Sequence, residues 1–366
     1  MHIGFRGELT DEPTIRAGVI GCGSHARRNI YPALGFAPVE LLAVCDLSID
    51  KAEAFARRFG APDACDDYHG MLRRDDLDAV FVVTDYDELG RPKYPDIAVD
   101  VLDAGKHVWI EKPPAHSVEA IERMQQAAHA NGLNVMVGMK KMFFPANEKA
   151  KALMDEESFG RTQLVTLQYP QYTPTVDELR TYRAGRKAPR VVGFLDHLCH
   201  PVSLMLFLLG MPETLFYQRS ENGAAAATFS FASGAVAALH LTCGAGKDGG
   251  MERTTIVSDA GRHITVENNL RVRLHRSGRH AYGATPDYYA GEGEAASLVW
   301  EPEFSLGQLY NKGLFLLGYW GEVNEFARSI IEDRPPAKGT LAQARQATRI
   351  FEAFAEGPGS VIPLAQ

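Results

Sequence analysis

The sequence predicts an α/β protein with two domains, a doubly wound parallel sheet first and an α+β domain with a mainly antiparallel sheet after it. In the first part, from Ile15 to about residue 139, short apolar runs alternate with helical segments, which is typical of parallel strands joined by helices. Between residues 226 and 275, five strand-like runs follow one another without helices between them, after a first run over residues 163–172, which favours antiparallel pairing. The length of 366 residues also suits two domains.

The elements of the first domain follow from hydrophobic period and from the residues that end each element. The expected strands cover residues 15–20, 39–45, 78–84, 107–110 and 134–138, and the expected helices cover residues 24–34, 49–59, 94–104 and 118–130. Gly60 and Gly105 stand where two of these helices end, as glycines at helix C-termini do. The predicted boundaries are residues 1–140 for this domain, 141–338 for the second domain and 339–366 for a C-terminal helix and tail.

The second domain is predicted from alternating or continuous apolar runs. Its expected strands cover residues 163–172, 226–231, 236–242, 254–258, 262–267 and 270–275, and its expected helices cover residues 194–209, 321–332 and 340–355. Residues 277–305 are rich in glycine, alanine and polar residues, so loops are expected there. Six late aromatic side chains suit either stacking on sugar rings or burial in a core or interface: Tyr288, Tyr289, Trp300, Tyr310, Tyr319 and Trp320.

Composition excludes several classes of partner. With 45% hydrophobic and 23% charged residues, the chain has the make-up of an ordinary soluble globular protein. A formal net charge of −8 argues against nucleic acid or an anionic membrane as the main partner. The longest apolar stretch, residues 202–209, is too short to span a bilayer. Residues 1–6 lack the features of a secretion signal.

The five cysteines predict reduced thiols in the cytoplasm. They are odd in number and scattered, which does not suit a disulfide framework. Cys199 and His200 are adjacent, and neighbours in sequence make a poor pair of ligands for one metal ion. No metal site is therefore predicted.

A glycine turn after the first strand predicts a dinucleotide site. Gly21 permits a tight turn, Gly23 leaves room for a close pyrophosphate, and Ala26 allows the helix to pack closely on the strand. The helix over residues 24–34 would aim its first N–H groups, near Ser24 and His25, at the phosphates. The turn, helix and following strand stand in the order that such a site requires.

The residue after the second strand predicts which dinucleotide binds. Asp46 stands 25 residues after Gly21, about where a carboxylate accepts hydrogen bonds from the adenosine ribose. Leu47 and Ser48 follow it, so no arginine stands there to bind a 2′-phosphate. The sequence favours NAD and leaves NADP open.

The tripeptide Glu111-Lys112-Pro113 ends a later apolar strand of the same domain. The carboxyl ends of parallel strands meet at one edge of the sheet, which is also where the glycine turn lies. Lys112 is therefore predicted to stand beside the reactive end of the dinucleotide.

These motifs give the chain a resemblance to the family of glucose–fructose oxidoreductases, inositol dehydrogenases and rhizopine catabolism proteins (Gfo/Idh/MocA). The ordered set covers nearly the whole length and consists of Gly21-x-Gly23-x-x-Ala26, Pro32-Ala33-Leu34, Cys45-Asp46, Ala104-Gly105-Lys106-His107-Val108, Glu111-Lys112-Pro113, Val137-Gly138, Asp196-x-x-x-His200 and Gly210. The resemblance implies a Rossmann domain followed by a domain with an open sheet that often forms the oligomer interface. A homodimer or homotetramer is expected on this ground.

The resemblance also implies roles for single residues. The cofactor contacts would be Gly21, Gly23, Ser24, His25, Asp46, Thr84, Glu111 and Lys112. Lys112 would lie by the nicotinamide and a substrate hydroxyl, where it can polarise the reacting oxygen. Its peptide bond to Pro113 would be cis.

Asp196 and His200 match the family's Asp-x-x-x-His pair and lie four residues apart, on one helix face. Removing a hydride from an alcohol requires a base for the hydroxyl proton, and a histidine titrates near neutrality. His200 is the predicted base, and Asp196 would orient it or contact a substrate hydroxyl. The alternative is a structural pair at a helix start. His197, where the family is usually apolar, is either an extra substrate contact or a partly buried histidine.

Two departures from the family pattern concern the substrate side. Residues 85–93 replace a shorter Pro-Asn segment after Thr84, and Tyr94 stands where the family has a histidine, so the loop by the nicotinamide is remodelled. Lys140 and Lys141 replace a frequent Asn-Arg pair. These two lysines either meet an anionic substrate, such as a phosphate or uronate, or are solvated lysines at a domain junction.

The sequence thus favours an NAD-dependent dehydrogenase for a secondary alcohol of a sugar, inositol or related polyol. Two other readings stay open. Some members of this fold are glycoside hydrolases that retain NAD and act by transient oxidation and elimination. A non-catalytic NAD-binding sensor is the third reading, although Lys112, Asp196 and His200 argue against it.

Overall fold

The computed structural model describes residues 12–244, 252–276, 297–302 and 312–364. The chain forms two compact units. Unit 1 contains Met1–Phe143 and Gly313–Arg349, and unit 2 contains Phe144–Lys312 and Ile350–Gln366.

Unit 1 is built on a six-stranded parallel sheet in the order β3-β2-β1-β4-β5-β6. The strands are β1 (Ile15–Ile20), β2 (Val39–Cys45), β3 (Asp63–Cys65), β4 (Ala79–Val82), β5 (His107–Ile110) and β6 (Val135–Val137). β4 is buried along its whole length, as expected of a parallel strand covered on both faces. The order reverses at β1, so the ends of β1 and β4 form the crevice where such sheets bind ligands.

Five helices connect these strands. They are a π-helical turn Ala26–Ile30 that runs into α1 (Tyr31–Leu34), then α2 (Ile49–Phe59), α3 (Tyr68–Leu72), α4 (Tyr94–Asp103) and α5 (Val118–Asn131). Gly60 ends α2 in the left-handed conformation with φ of 80°, as the sequence predicts. The short strand β3 and helix α3 were not predicted, because three and five residues are too few to show a hydrophobic period.

The described residues of unit 2 form a nine-stranded sheet, and among these strands only β7 and β10 run parallel to each other. Its first elements are α6 (Pro145–Met154), β7 (Thr162–Tyr169), α7 (Val176–Arg183) and α8 (Pro189–Leu209). The remaining strands up to residue 300 are β8 (Thr214–Arg219), β9 (Ala225–Ser230), β10 (Val236–Leu241), β11 (Arg253–Ser258), β12 (His263–Glu267), β13 (Arg271–His275) and β14 (Ser297–Trp300). The predicted mainly antiparallel sheet is confirmed.

Burial in this sheet alternates from residue to residue. In β10, for example, Ala237, Leu239 and Leu241 are buried, whereas Val236 and His240 are exposed. One face of the sheet therefore belongs to the core, and the other face is open. β14 lies within the stretch 277–305 that was expected to form loops, and this expectation is wrong for residues 297–300. Residues 277–296 and 303–311 lie outside the described residues.

Helix α8 is the long apolar helix of unit 2. Its 21 residues and mean hydropathy of 1.6 would suit a membrane span by length and composition. However, 67% of the apolar window is buried inside the protein, which is the behaviour of a core helix. The helix begins five residues before the predicted start, with Pro189 in its first turn, a position that proline favours.

The chain ends with α9 (Lys312–Leu316), α10 (Tyr319–Ile331), α11 (Leu341–Ala353) and the two-residue strand β15 (Ile362–Pro363). α10 packs on the parallel sheet of unit 1, where Phe326 meets the Phe81 ring edge-on with centroids 5.3 Å apart. Trp320 Nε1 also donates to the carbonyl oxygen of Phe36 at 2.9 Å. The units therefore differ from the predicted boundaries 1–140, 141–338 and 339–366, because α10 fills an apolar face of the parallel sheet that the earlier elements leave open.

Candidate active site

The glycine turn after β1 has the geometry that a close phosphate requires. Gly21 has a φ of +113°, and a Cβ at this position would lie 2.1 Å from the carbonyl oxygen of Val83, so only glycine fits. A Cβ on Gly23 would meet nothing within 4 Å. The backbone at Gly23 is thus open to a ligand, directly before the helix whose first N–H groups attract anions.

Asp46 is held in place at the end of β2 by two backbone groups. The Cys22 N–H donates to Oδ2 at 2.8 Å, and the Ser48 N–H donates to Oδ1 at 3.0 Å. The carboxylate is partly exposed, so its remaining lone pairs can accept bonds from a ribose. Asp46 and the glycine turn are therefore linked before any ligand binds.

Glu111 connects the glycine turn to the end of β5. Its side chain is buried; Oε1 lies 2.7 Å from His25 Nε2, and Oε2 accepts a hydrogen bond from the Lys112 N–H at 3.0 Å. Burial by itself would raise the pKa of Glu111, but His25 and the charges of Lys112 and Lys140 outweigh it and lower the pKa below its ordinary value. Glu111 is therefore ionised at neutral pH.

The peptide bond between Lys112 and Pro113 is cis, as the family resemblance implies. Lys112 follows β5 at the carboxyl edge of the sheet, with β4 between β5 and the strand that leads into the glycine turn. The close approach of Gly138 supports this corner, because a Cβ on Gly138 would lie 2.6 Å from the Trp109 ring and 3.6 Å from the Glu111 carboxyl carbon.

Lys140 lies in a 3-10 turn after β6, and its side chain contacts α10 of the same unit. Its Nζ donates to the Tyr319 hydroxyl at 2.7 Å and lies 4.6 Å from the centre of that ring. Burial is the main cause that lowers the pKa of Lys140 to about 8, although Glu111 acts in the opposite direction. Lys141 beside it is only 4% exposed. The structure does not show solvated lysines at this place.

Glu322, in the first turn of α10, is a further ionisable residue of unit 1. Its side chain is fully buried, and neither carboxyl oxygen has a hydrogen-bond partner among the described residues. Burial first and the negative charge of Glu111 second raise the pKa of Glu322 well above its ordinary value. Both effects favour the protonated form of this carboxyl group.

The Asp87 side chain holds the remodelled loop after β4 in place. Asp87 Oδ1 accepts hydrogen bonds from the Leu89 and Arg91 N–H groups at 2.9 Å and 2.7 Å. Tyr94, which replaces the family's histidine, donates its hydroxyl to the Thr84 carbonyl oxygen at 2.9 Å. The Thr84 hydroxyl is buried and has no hydrogen-bond partner within the described residues, so it is suited to a ligand contact.

In unit 2, α8 carries the three polar residues predicted for the substrate side. Asp196 Oδ2 lies 3.7 Å from His197 Nε2, and His197 Nδ1 lies 3.4 Å from the Tyr169 hydroxyl. The ring of His200 lies 6.2 Å from that of His197 and 6.1 Å from that of Tyr169. Burial first, and then Glu252 and Asp196, raise the pKa of Tyr169. His197 is thus part of this cluster.

The predicted site residues fall into two groups, one in each unit. Gly21, Gly23, Ser24, His25, Asp46, Thr84, Glu111, Lys112, Lys140 and Lys141 belong to unit 1, and Asp196, His197 and His200 belong to unit 2. Within the described ranges, no three His, Cys, Asp or Glu side chains are arranged to hold a metal ion.

The sequence alone missed two residues of the unit 1 group. Glu322 gave no signal, since it looks like an ordinary acid near the start of an amphipathic helix. Tyr319 was one of six late aromatics with open roles, and it is buried beside His25, with ring centroids 5.7 Å apart. Tyr288, Tyr289 and Tyr310 lie outside the described residues.

Family comparisons match most of the first part of the chain and much of the second part. Residues 15–139 match the family described as "Oxidoreductase family, NAD-binding Rossmann fold", and residues 147–264 match the "GFO/IDH/MocA C-terminal domain". A solved structure, levoglucosan dehydrogenase in complex with NADH and L-sorbose, has the same fold, with a TM-score of 0.75 at 18% identity over 97% of this chain and 100% of that one.

Two curated relatives act on sugars or inositols by name. The dTDP-3,4-didehydro-2,6-dideoxy-alpha-D-glucose 3-reductase of Actinomadura kijaniata is 34% identical over 40% of this chain and 42% of its own length. The scyllo-inositol 2-dehydrogenase (NADP(+)) IolU of Bacillus subtilis (strain 168) is 30% identical over 46% of this chain and 49% of its own. This chain therefore spans about half the length of the curated relatives it matches.

The contribution of the Glu111 charge to stability can be tested by substitution. Replacing Glu111 with Gln should lower the free energy of unfolding at neutral pH by about 1.5–3 kcal/mol, because a charge-assisted bond in a buried place is lost. Since the folded-state pKa of Glu111 is lowered, its contribution is fully present above the ordinary value near 4.5 and is lost as the pH falls through the lower, folded-state value. Urea unfolding at neutral and acid pH measures both effects.

The control is Glu53→Gln, which makes the same change at an exposed pair with Arg57 and should alter stability by less than about 0.5 kcal/mol. A Glu111→Gln protein as stable as wild type at neutral pH would contradict the argument.

Proposed function

Because this chain belongs to the GFO/IDH/MocA family of NAD-binding oxidoreductases, we propose that it is an NAD-dependent dehydrogenase of a sugar, inositol or related polyol. The reaction oxidises a secondary alcohol to a ketone, or runs in reverse. When bound, NAD supplies the nicotinamide ring that accepts the hydride. The names of the two curated relatives support this class of substrate.

The observation that carries the proposal is the buried Glu111, which bonds both His25 of the glycine turn and the backbone of Lys112. These bonds support the proposal that Lys112 is held at the carboxyl edge of the sheet. The nicotinamide end of a dinucleotide bound at the glycine turn would reach the same edge. An ammonium group there can polarise the reacting oxygen of the substrate.

The choice of NAD over NADP is supported by Asp46. Its carboxylate is fixed by the Cys22 and Ser48 N–H groups, and a fixed negative charge repels a 2′-phosphate while it accepts bonds from ribose hydroxyls. The relative IolU is named for NADP, so this chain would differ from it in cofactor.

The proposal gives the residues of α8 the handling of the hydroxyl proton. His200 is assigned as the proton acceptor. Nε2 of His197 lies 3.7 Å from the Asp196 carboxylate, and Nδ1 of the same ring lies 3.4 Å from the Tyr169 hydroxyl. The position of His197 between two polar groups supports a contact with substrate rather than a merely buried histidine.

The open face of the unit 2 sheet supports assembly into a homodimer or homotetramer. Leu164 and Val236 are cross-strand neighbours on this face and are each 37% exposed, and Val299 on the same face is 52% exposed. Apolar side chains on an uncovered sheet face favour contact with a second copy.

A reducing compartment such as the cytoplasm is part of the proposal. All five cysteines are free thiols. Burial raises the pKa of Cys22 to about 11, so this thiol next to the glycine turn is unreactive.

The experiment that tests the function follows NADH formation while the protein and NAD are offered sugars, inositols, uronates and sugar phosphates. Stoichiometric NADH with one class of polyol would support the proposal. Cleavage of a glycoside without net NADH would replace it with the hydrolase reading, and NAD binding with no reaction of any kind would replace it with a sensor.

Lys112→Met should lower kcat by about 10²- to 10⁴-fold, because the polarising ammonium is lost while the shape is nearly kept. The dissociation constant of NAD should stay within about threefold, since the glycine turn and Asp46 are unchanged. Stopped-flow kinetics and calorimetry measure the two quantities. Lys149→Met, a lysine on α6, serves as the control, and equal loss of NAD binding and turnover in Lys112→Met would argue against the assignment.

Asp46→Ala should weaken NAD binding by about tenfold, because a ribose hydroxyl loses a charged acceptor. NADP binding should be unchanged or improve, since a negative charge near the 2′-phosphate is removed. Fluorescence titration with NADH and NADPH gives both constants. Asp50→Ala removes the same charge from an exposed position on α2 and should change neither. An unaltered preference in Asp46→Ala would contradict the role of this carboxylate.

The double substitution of Leu164 and Val236 by Glu should reduce the molar mass in solution, since two charges on the open face oppose its burial. Light scattering after size-exclusion chromatography measures the mass. Val361→Glu introduces a charge at a site that is 67% exposed and should leave the mass unchanged. A wild-type protein that is already a monomer would refute the oligomer.

A further inference from the structure

The ring of His25 joins the glycine turn to a buried charge. Its Nε2 lies 2.7 Å from Oε1 of Glu111, and its Nδ1 lies 3.2 Å from Nδ2 of Asn29. The side chain of Glu111 is 6% exposed, whereas that of His25 is 40% exposed. The ring is therefore fixed on one side by a buried carboxylate, and part of it remains accessible from outside.

The backbone beside this ring offers donors to an anion. The Arg27 N–H donates to the Gly23 carbonyl oxygen at 3.0 Å, in the first turn of the helix. The N–H groups of residues 24–26 come before this bond, and such groups have no partner inside a helix. A Cβ on Gly23 would meet nothing within 4 Å, so a diphosphate can approach these groups closely.

A dinucleotide bound at the turn would add a second negative group near the His25 ring. The first is the Glu111 carboxylate, which contacts Nε2 in the free protein. A neighbouring anion favours the charged form of an imidazole, and histidine is the side chain that normally gains its proton near neutral pH. The free protein has one anion at this ring, and the complex would have two.

Other charged and titratable groups surround the ring in both states. They are Glu111 and Lys112 after β5, Lys140 after β6, Arg28 in the same helical turn and Tyr319 in α10, whose ring centroid lies 5.7 Å from that of His25. Burial is the main cause that raises the pKa of Tyr319, so its hydroxyl stays neutral. The three cations oppose a proton on His25, but they do so before and after binding. The diphosphate is the charge that distinguishes the two states.

We propose that binding of the dinucleotide places a proton on His25, so that the affinity for NAD rises as the pH falls from alkaline to mildly acid values. The proton comes from the solvent, and no covalent bond of the protein or of the cofactor changes. Both ring nitrogens are then donors, and the Nε2–H stays on Glu111. The inference rests on the proposed function, because it takes the glycine turn as the dinucleotide site.

The added proton has a consequence for Lys112. A cationic ring donates a stronger hydrogen bond to a carboxylate than a neutral ring does. The same carboxylate accepts the Lys112 N–H at 3.0 Å. Binding of the diphosphate would thus tighten the connection that holds the end of β5, and His25 acts as a positioning residue for the lysine.

The direct test counts protons on the wild-type protein, without any substitution. NAD is titrated calorimetrically into the full-length protein at pH 7.5 in PIPES, HEPES and Tris, whose heats of ionisation differ. The slope of the observed heat against the heat of ionisation gives the number of protons taken up, which should be about 0.3–0.8 per NAD. A slope of zero overturns the proposal.

His25→Gln identifies the residue that takes the proton. Glutamine keeps an N–H donor for Glu111 but does not titrate. The slope should fall to near zero in this variant. Between pH 8.5 and 6.5, the Kd of NAD should fall about three- to tenfold in wild type and change less than about twofold in the variant. Proton uptake that persists in His25→Gln overturns the proposal.

The matched control is His129→Gln, the same change at an exposed position in the last turn of α5. This variant should keep the slope and the pH dependence of wild type. A loss as large as that in His25→Gln would mean that the slope does not report on the ring beside Glu111, and it would also overturn the proposal.

ADP-ribose separates the diphosphate from the nicotinamide. It carries the same diphosphate and no nicotinamide ring, so its binding should take up at least as many protons as binding of NAD. Uptake with NAD and none with bound ADP-ribose would place the cause at the other end of the cofactor and overturn the proposal.

These measurements need no turnover, which keeps them separate from the test of the proposed function. Proton uptake by a protein that oxidises no polyol would support the role of His25 and refute the dehydrogenase. NADH formation with a slope of zero would support the dehydrogenase and refute the role of His25. A wild-type protein that binds neither NAD nor ADP-ribose would refute both.

Discussion

The carboxylate of Glu111 is the constraint on which the unit 1 site depends. A buried negative charge must be compensated, and here His25 and the Lys112 N–H bond it while nearby lysines add charge of opposite sign. One of its partners belongs to the turn after β1 and the other to the end of β5. The glycine turn and the lysine are therefore positioned by the same atom group, and neither can move without exposing a buried charge.

Much of this unit follows from local sequence. β1, β2 and β5 have the predicted bounds, because their strands are short apolar runs closed by glycine or an acid. The glycine turn and Asp46 could also be predicted from local sequence, because their roles depend on the backbone conformation of a few neighbouring residues. The placement of Lys112 depends on a rule about the whole sheet, namely that the carboxyl ends of parallel strands meet at one edge.

The rest of the site depends on contacts between distant parts of the chain. Lys140 and Tyr319 are 179 residues apart, and their bond cannot be read from either segment. The unusual state of Glu322 comes from burial and from Glu111, neither of which its neighbours in sequence reveal. Ser48 is a smaller example. A serine directly before a helix often caps it with its side chain, but the Ser48 side chain makes no capping bond to α2, and the role of this residue is to donate its N–H to Asp46.

The return of α10 to the first sheet has a consequence for how the protein is made. Synthesis proceeds from the N-terminus, and domains generally fold as units once their residues have emerged. Unit 1 includes residues 313–349, so its core stays incomplete while strands β7 to β14 of the second sheet are being translated. During that interval the face that later receives Phe326 is open to water or to a chaperone. A chain released early, before α10, would carry the glycine turn and Lys112 without Tyr319 and Glu322.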